Sequence, residues 1–189
     1  MSRKQDAVDL LQDDHRDVKG LFATFKSLCQ RDSAQVEKAA VAGAICMSLS
    51  IHAQLEDELF YPAMREATGD DDVLDEAEVE HLGAKDQIAR ISAMKPGDSL
   101  FDARVSVLCA IVERHLKAEE GEIFPVARAS SIDLLELGAR MQARKSALLA
   151  EYKDLAGGVG RFDEAGDPVG RRALVPAGRR VAAGVGVGA

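Results

Sequence analysis

Two stretches decide how this chain folds: HAQLEDELFYP, residues 52–62, and HLKAEEGEIFP, residues 115–125. Each opens on a histidine and places a glutamate four residues on, Glu56 and Glu119. Each then sets an apolar residue at the ninth place, an aromatic at the tenth and a proline at the eleventh. Histidine and glutamate at i and i+4 share one face of a helix, so each stretch presents a nitrogen and an oxygen donor together. One HxxxE alone says little, because glutamate is abundant in helices. The repeat of the whole eleven-residue frame says more.

Working outward, apolar residues recur at helical spacing through five segments. The first covers roughly residues 5–29, with Leu11, Val18, Phe22 and Phe25 on one stripe. The second opens near Asp32-Ser33, where Gln35 follows Asp32 at capping-box spacing, and runs to about Glu66 with Pro62 bending its last turns. The third follows Gly69 and the acidic run Asp70-Asp71-Asp72, which suits the positive end of a helix, and stops before Pro96-Gly97. The fourth starts at Asp98-Ser99 and is perturbed by Pro125; the fifth covers about 131–155. Short linkers predict antiparallel neighbours, hence an all-α, up-down-up-down four-helix bundle with an additional C-terminal helix. Residues 1–156 form the expected domain, with the bundle proper over about 5–125. Residues 157–189 hold nine glycines, two prolines and five arginines without helical period, the composition of a disordered, glycine-rich tail.

The chain has four histidines, and each falls on the apolar stripe of a different helix: His15, His52, His81 and His115. Counting from the turns, they stand at similar depth to within about one helical turn. Four imidazoles and two carboxylates buried without partners would cost several kcal/mol per charge. A metal centre satisfies them together, and the predicted ligands are His15, His52, Glu56, His81, His115 and Glu119. Nitrogen mixed with carboxylate oxygen suits iron, manganese or zinc. Six protein donors exceed what one tetrahedral ion uses, whereas two six-coordinate ions with bridging carboxylates and an oxide or hydroxide bridge use them well. About two coordination positions then remain for water, dioxygen or peroxide.

The joint pattern of His15, His52-xxx-Glu56, His81 and His115-xxx-Glu119, with its FYP and IFP trailers, resembles the hemerythrin-like HHE cation-binding family. The resemblance covers roughly residues 5–125, and the fifth helix is similar to bacterial members. It implies two non-haem iron ions, Glu56 and Glu119 bridging, and a role in oxygen or redox sensing or oxidative-stress protection. The oxygen carriers of the family set two histidines four apart on the third helix; here the upstream position is Ala77, with Glu78 as a possible substitute. Their fourth-helix carboxylate sits five residues after histidine, where this chain has Glu120, while the first half of the chain favours Glu119. Both departures put reversible oxygen carriage in doubt. An iron buffer or sensor without turnover is the competing reading. A ferritin-like oxidase needs an ExxH on two helices, and only Glu78–His81 fits.

A net charge of −8 argues against a nucleic-acid binder. No apolar run reaches the roughly 18 residues of a membrane helix, and the first residues lack a signal core, so the cytoplasm is the expected home. The odd, widely spaced cysteines Cys29, Cys46 and Cys109 are read as small buried hydrophobes. Tyr61 is read as packing, because an aromatic recurs in its place as Phe124.

Overall fold

The computed structural model describes residues 5–31, 35–69, 72–95 and 97–158, with side chains to residue 153. The Asp32-Ser33 start, most of the acidic run, Pro96 and nearly all of the glycine-rich tail lie outside the described residues. Among those described, every regular element is helical. Five rods follow one another. Helix α1 is Ala7–Leu28, begun by Asp6, whose side chain accepts from the Asp9 N–H at 2.8 Å. The second rod joins α2 (Gln35–Leu55), a wide π turn π1 (Glu56–Phe60) and α3 (Tyr61–Thr68), and closes at Gly69 in the left-handed region, φ 64°. Helix α4 is Asp72–Ser92. The fourth rod joins α5 (Phe101–Ala118), a second wide turn π2 (Glu119–Ile123) and α6 (Phe124–Ala129); α7 is Leu134–Gly158. The fourth rod starts later than Asp98-Ser99 because Leu100 takes a left-handed φ of 72°, outside helical space.

Pro62 and Pro125 end neither rod. The disturbance they cause lies upstream, in π1 and π2. A proline in continuous α-helix would lack its N–H bond and press its ring on the carbonyl four residues back. Here the turn before each proline is widened to five residues, with the Tyr61 N–H donating to the Glu56 carbonyl and the Phe124 N–H to that of Glu119. Each proline then sits in the first turn of the next helix, where it is tolerated.

Helix α1 packs along α2, α4 along α5, α2 against α4, and α7 lies over α1 and α2. The apolar interior divides in two. One cluster includes Leu11, Phe60, Tyr61, Phe124 and, from α7, Met141 and Leu148. The other includes Val18, Phe22, Phe25, Ile45, Leu108 and Val112. His15 lies between Leu11 and Val18, so the predicted ligands occupy the layer between two dry plugs. Helix α7 meets α1 closely: a Cβ on Gly138 would stand 2.7 Å from the backbone of Gln5–Ala7.

The rod Gln35–Thr68 reaches a mean hydropathy of 1.2 over an 18-residue window, enough to cross a membrane by length and composition, although its alanines break any plain apolar run. Buried core helices pass the same test, and this rod carries Glu56, which is 0 % exposed inside the bundle. Cys29 departs from the sequence reading: Cys46 is buried, but Cys29 at the end of α1 is exposed and Cys109 is half-buried.

Candidate metal centre

All six predicted residues are buried and meet in one place. His15, His52, Glu56 and Glu119 each offer a donor atom within 4.8 Å of the others, and Glu56, His81 and His115 form a second such group. Glu56 belongs to both. The Glu119 Oε2 lies 3.2 Å from His15 Nε2, 3.4 Å from His115 Nε2 and 3.9 Å from His52 Nε2. The Glu56 Oε2 lies 3.3 Å from both His52 Nε2 and His81 Nε2. Every imidazole therefore turns Nε2 inward.

The outward nitrogens find carboxylates. His15 Nδ1–H donates to Glu120, His81 Nδ1–H to Asp57 and His115 Nδ1–H to Glu80, each at 2.9 Å. His52 Nδ1 faces Asp14 at 3.8 Å. Beyond each carboxylate stands a cation: Lys19 on Glu120 at 2.8 Å, Lys85 on Asp57 and Arg114 on Glu80 at 2.7 Å, and Lys145 of α7 on Asp14. Three imidazoles thus end cation–carboxylate–histidine chains, and His52 faces a fourth cation–carboxylate pair at ion-pair distance. Carboxylates in this position fix the tautomer and ring orientation of metal-binding histidines and raise their basicity. Burial pushes the carboxyls of Asp14, Asp57 and Glu120 up, but their histidine and lysine neighbours outweigh it, and all three are held below the usual range.

The wide turns put neighbours to different uses. Glu56 faces the centre while Asp57 holds His81 from outside; Glu119 faces the centre while Glu120 holds His15. The aromatic after each turn stacks on that same histidine, Tyr61 on His81 with centroids 5.6 Å apart and Phe124 on His15 at 5.4 Å. The two turns differ in one hydroxyl. Tyr61 Oη donates to Glu119 Oε1 at 3.1 Å, and Phe124 has no such group for Glu56. Both Glu56 oxygens are consequently without a hydrogen-bond partner. Burial and the nearby Glu119 charge push the Glu56 carboxyl up. At Glu119 burial is overcome by the facing imidazoles of His15, His52 and His115, which hold it well down.

The donors fit a metal. Besides the Glu56 oxygens, His15 Nε2, both His52 nitrogens and Glu119 Oε2 are buried without a partner, a cost that native interiors avoid. His81 Nε2 and His115 Nε2 stand 3.1 Å apart. With both Nδ1 protons committed to Asp57 and Glu80, these nitrogens would face each other with lone pairs, so a proton or a cation must lie between them. Burial works against charge on His81, but Asp57 and Glu56 carry it up to about 9.

Of the two alternative ligands considered in the sequence, Glu120 serves His15 from outside, and Glu78 turns away to pair with Arg65 at 2.9 Å, half-exposed. Ala77 is buried beside the centre. The sequence reading missed Asp14, Asp57 and Glu80. The signal for Asp14 and Glu80 is a second repeat: DHRDVK at 14–19 and EHLGAK at 80–85 both read acid, histidine, then lysine four residues on. The acid of each serves the other histidine of its own half. Asp57, like Glu120, directly follows a predicted ligand in the first repeat.

A helical bundle with a buried histidine–glutamate cluster of this kind defines a class of metal-binding protein. The chain belongs to the hemerythrin HHE cation-binding domain family, whose model matches residues 6–127. A hemerythrin HHE cation-binding domain-containing protein of Mycobacterium kansasii, known from its crystal structure, has the same fold, with a TM-score of 0.68 at 24 % identity over 83 % of this chain and 95 % of that one. Among curated relatives, a DNA nickase of Nostoc sp. is 29 % identical over 163 residues, 84 % of this chain. The chain spans 45 % of that nickase's length. A Mycobacterium tuberculosis protein of undescribed activity is 26 % identical over 145 residues, 73 % of this chain and 84 % of its own.

Proposed function

We propose that this chain is a non-haem di-iron protein that binds or reacts with dioxygen or peroxide, in oxygen or redox sensing or in protection from oxidative stress. His15 and His52 would hold one iron and His81 and His115 the other, with Glu56 and Glu119 shared between them and an oxo or hydroxo group completing the centre. The observation that carries this reading is the sharing of Glu56 between both donor groups. One carboxylate answering to two sets of imidazoles is the arrangement a pair of ions requires. The rods alternate in direction in this reading, which the short linkers and the packing of successive rods support. Bound iron would supply one-electron redox exchange. The chain supplies the rest: three imidazoles fixed in one tautomer by carboxylates, two inequivalent carboxylates and apolar plugs on either side of the metal layer.

We place the protein in the cytoplasm. The nicking named for the Nostoc relative is not carried over, since this chain is acidic overall and its polar cluster is buried.

Metal analysis of the purified chain, with spectra under air, dithionite and peroxide, tests the reading. About two irons per chain with an oxidant-dependent absorption band are expected, and His52→Ala or Glu56→Ala lowers the iron content. Unchanged iron in both variants would sink the ligand assignment. Two irons with folding that depends on metal but no spectral response to oxidants would turn the assignment to an iron buffer or sensor.

A further inference from the structure

Between α4 and α5 a cavity of about 160 Å³ runs from the surface to the centre. Its mouth includes Glu76, Arg114 and Glu122, which are exposed; its floor includes Ala77, His115 and Glu119, which are buried. Two observations make this more than a surface dent. Glu119 is 0 % exposed, and its Oε2 has no hydrogen-bond partner. The cavity also meets the centre at His115, a member of the group with three donors rather than four, beside Glu119. Ala77 lies one helical turn before His81 on the same face, and its methyl leaves open the space that a longer side chain there would fill.

We propose that this cavity admits and seats a small, polar, electrically neutral ligand, of which hydrogen peroxide is one, against His115 and Glu119 at the edge of the centre. The inference rests on the di-iron reading and adds to it a place and a selectivity. The space is well below the roughly 300 Å³ at which pockets for cofactors and organic substrates begin. Arg114 is already engaged by Glu80 at 2.7 Å, so Glu76 and Glu122 leave the mouth net negative. A small anion is repelled there, whereas a neutral hydroxylic molecule can donate hydrogen bonds to the carboxylates. A second cavity, of about 140 Å³, reaches His15 and His52 under α7, but Val18, Met47, Leu49, Ile51 and Leu149 give it mainly apolar walls. It serves as the control.

The test is an azide titration of the oxidised, iron-loaded full chain, followed by absorption, after iron per chain has been measured. Ala77→Leu fills the floor and should weaken azide about tenfold or more at unchanged iron content. Glu122→Gln, an exposed change, should tighten azide about two- to threefold by lifting the negative charge, an effect that fades in high salt. Leu149→Phe, which narrows the second cavity, should leave the affinity within about twofold. Unaltered azide affinity in Glu122→Gln overturns the proposal even if Ala77→Leu fails to fold, as does a loss in Leu149→Phe matching that in Ala77→Leu. A wild-type chain with fewer than about two irons marks failure of the di-iron reading itself and is read before any azide is added.

Discussion

Tyr61 and Glu119 lie on different rods, and the phenol donates to the carboxylate across the centre at 3.1 Å. This bond has no counterpart at Phe124, the matching aromatic of the other half. Tyr61→Phe copies the Phe124 arrangement and leaves Glu119 Oε1 buried and unpaired. The metal-free variant should lose about 1–3 kcal/mol in urea unfolding, while iron per chain stays at the wild-type level. Equal stability of the two metal-free forms would show that the bond contributes nothing.

The outer carboxylates should matter to metal affinity without being ligands. Asp57→Asn or Glu120→Gln removes the charge behind one imidazole, and iron affinity should fall about 10- to 100-fold. Competition with a chelator measures this. Glu78→Gln, on the same helix as His81 but turned toward Arg65, should leave affinity where it was. A matching loss in Glu78→Gln would mean that overall charge, not contact, governs binding.

Gly138 lets α7 sit on the start of α1. Gly138→Ala should destabilise the fold by about 1–3 kcal/mol despite the better helix propensity of alanine, because the methyl meets backbone atoms 2.7 Å away. A rise in melting temperature would contradict the close docking of α7.

Burial pushes the Cys46 thiol up to about 11 from an ordinary 9. The raised value favours the neutral thiol in the folded state, so its stabilisation is fully present below pH 9 and is lost as pH rises toward 11. Between those limits wild type should lose about 2–3 kcal/mol more stability than Cys46→Ala. Equal alkaline slopes in urea titrations would place the thiol in a wetter setting.

Much of this was legible in the sequence. Histidine is scarce here, and its four positions on apolar stripes led straight to the buried cluster, with Glu56 and Glu119 following from i, i+4 geometry. Asp14, Asp57 and Glu80 were harder, since acidic residues crowd every helix and nothing local separates a carboxylate behind an imidazole from a solvated one. The paired DHRDVK and EHLGAK frames do so for Asp14 and Glu80, and the acid that follows Glu56 and Glu119 in the first repeat does so for Asp57. Tyr61 was undervalued because apolar periodicity registers a ring and not its hydroxyl. The wide turns were hidden for a different reason. A single extra residue within a long rod barely disturbs a periodicity count, and the prolines disclosed a disturbance without showing that it lay upstream.

Each wide turn also acts as a phase shifter. An added residue moves everything downstream by about 100° around the helix axis. The rod can therefore aim Glu56 at the metal layer and still bring Phe60, Tyr61 and Met64 into the apolar plug above it. Removing one residue between Glu56 and Phe60 would restore an ordinary winding and rotate that plug outward, so the spacing from glutamate to proline should tolerate substitutions far better than deletions.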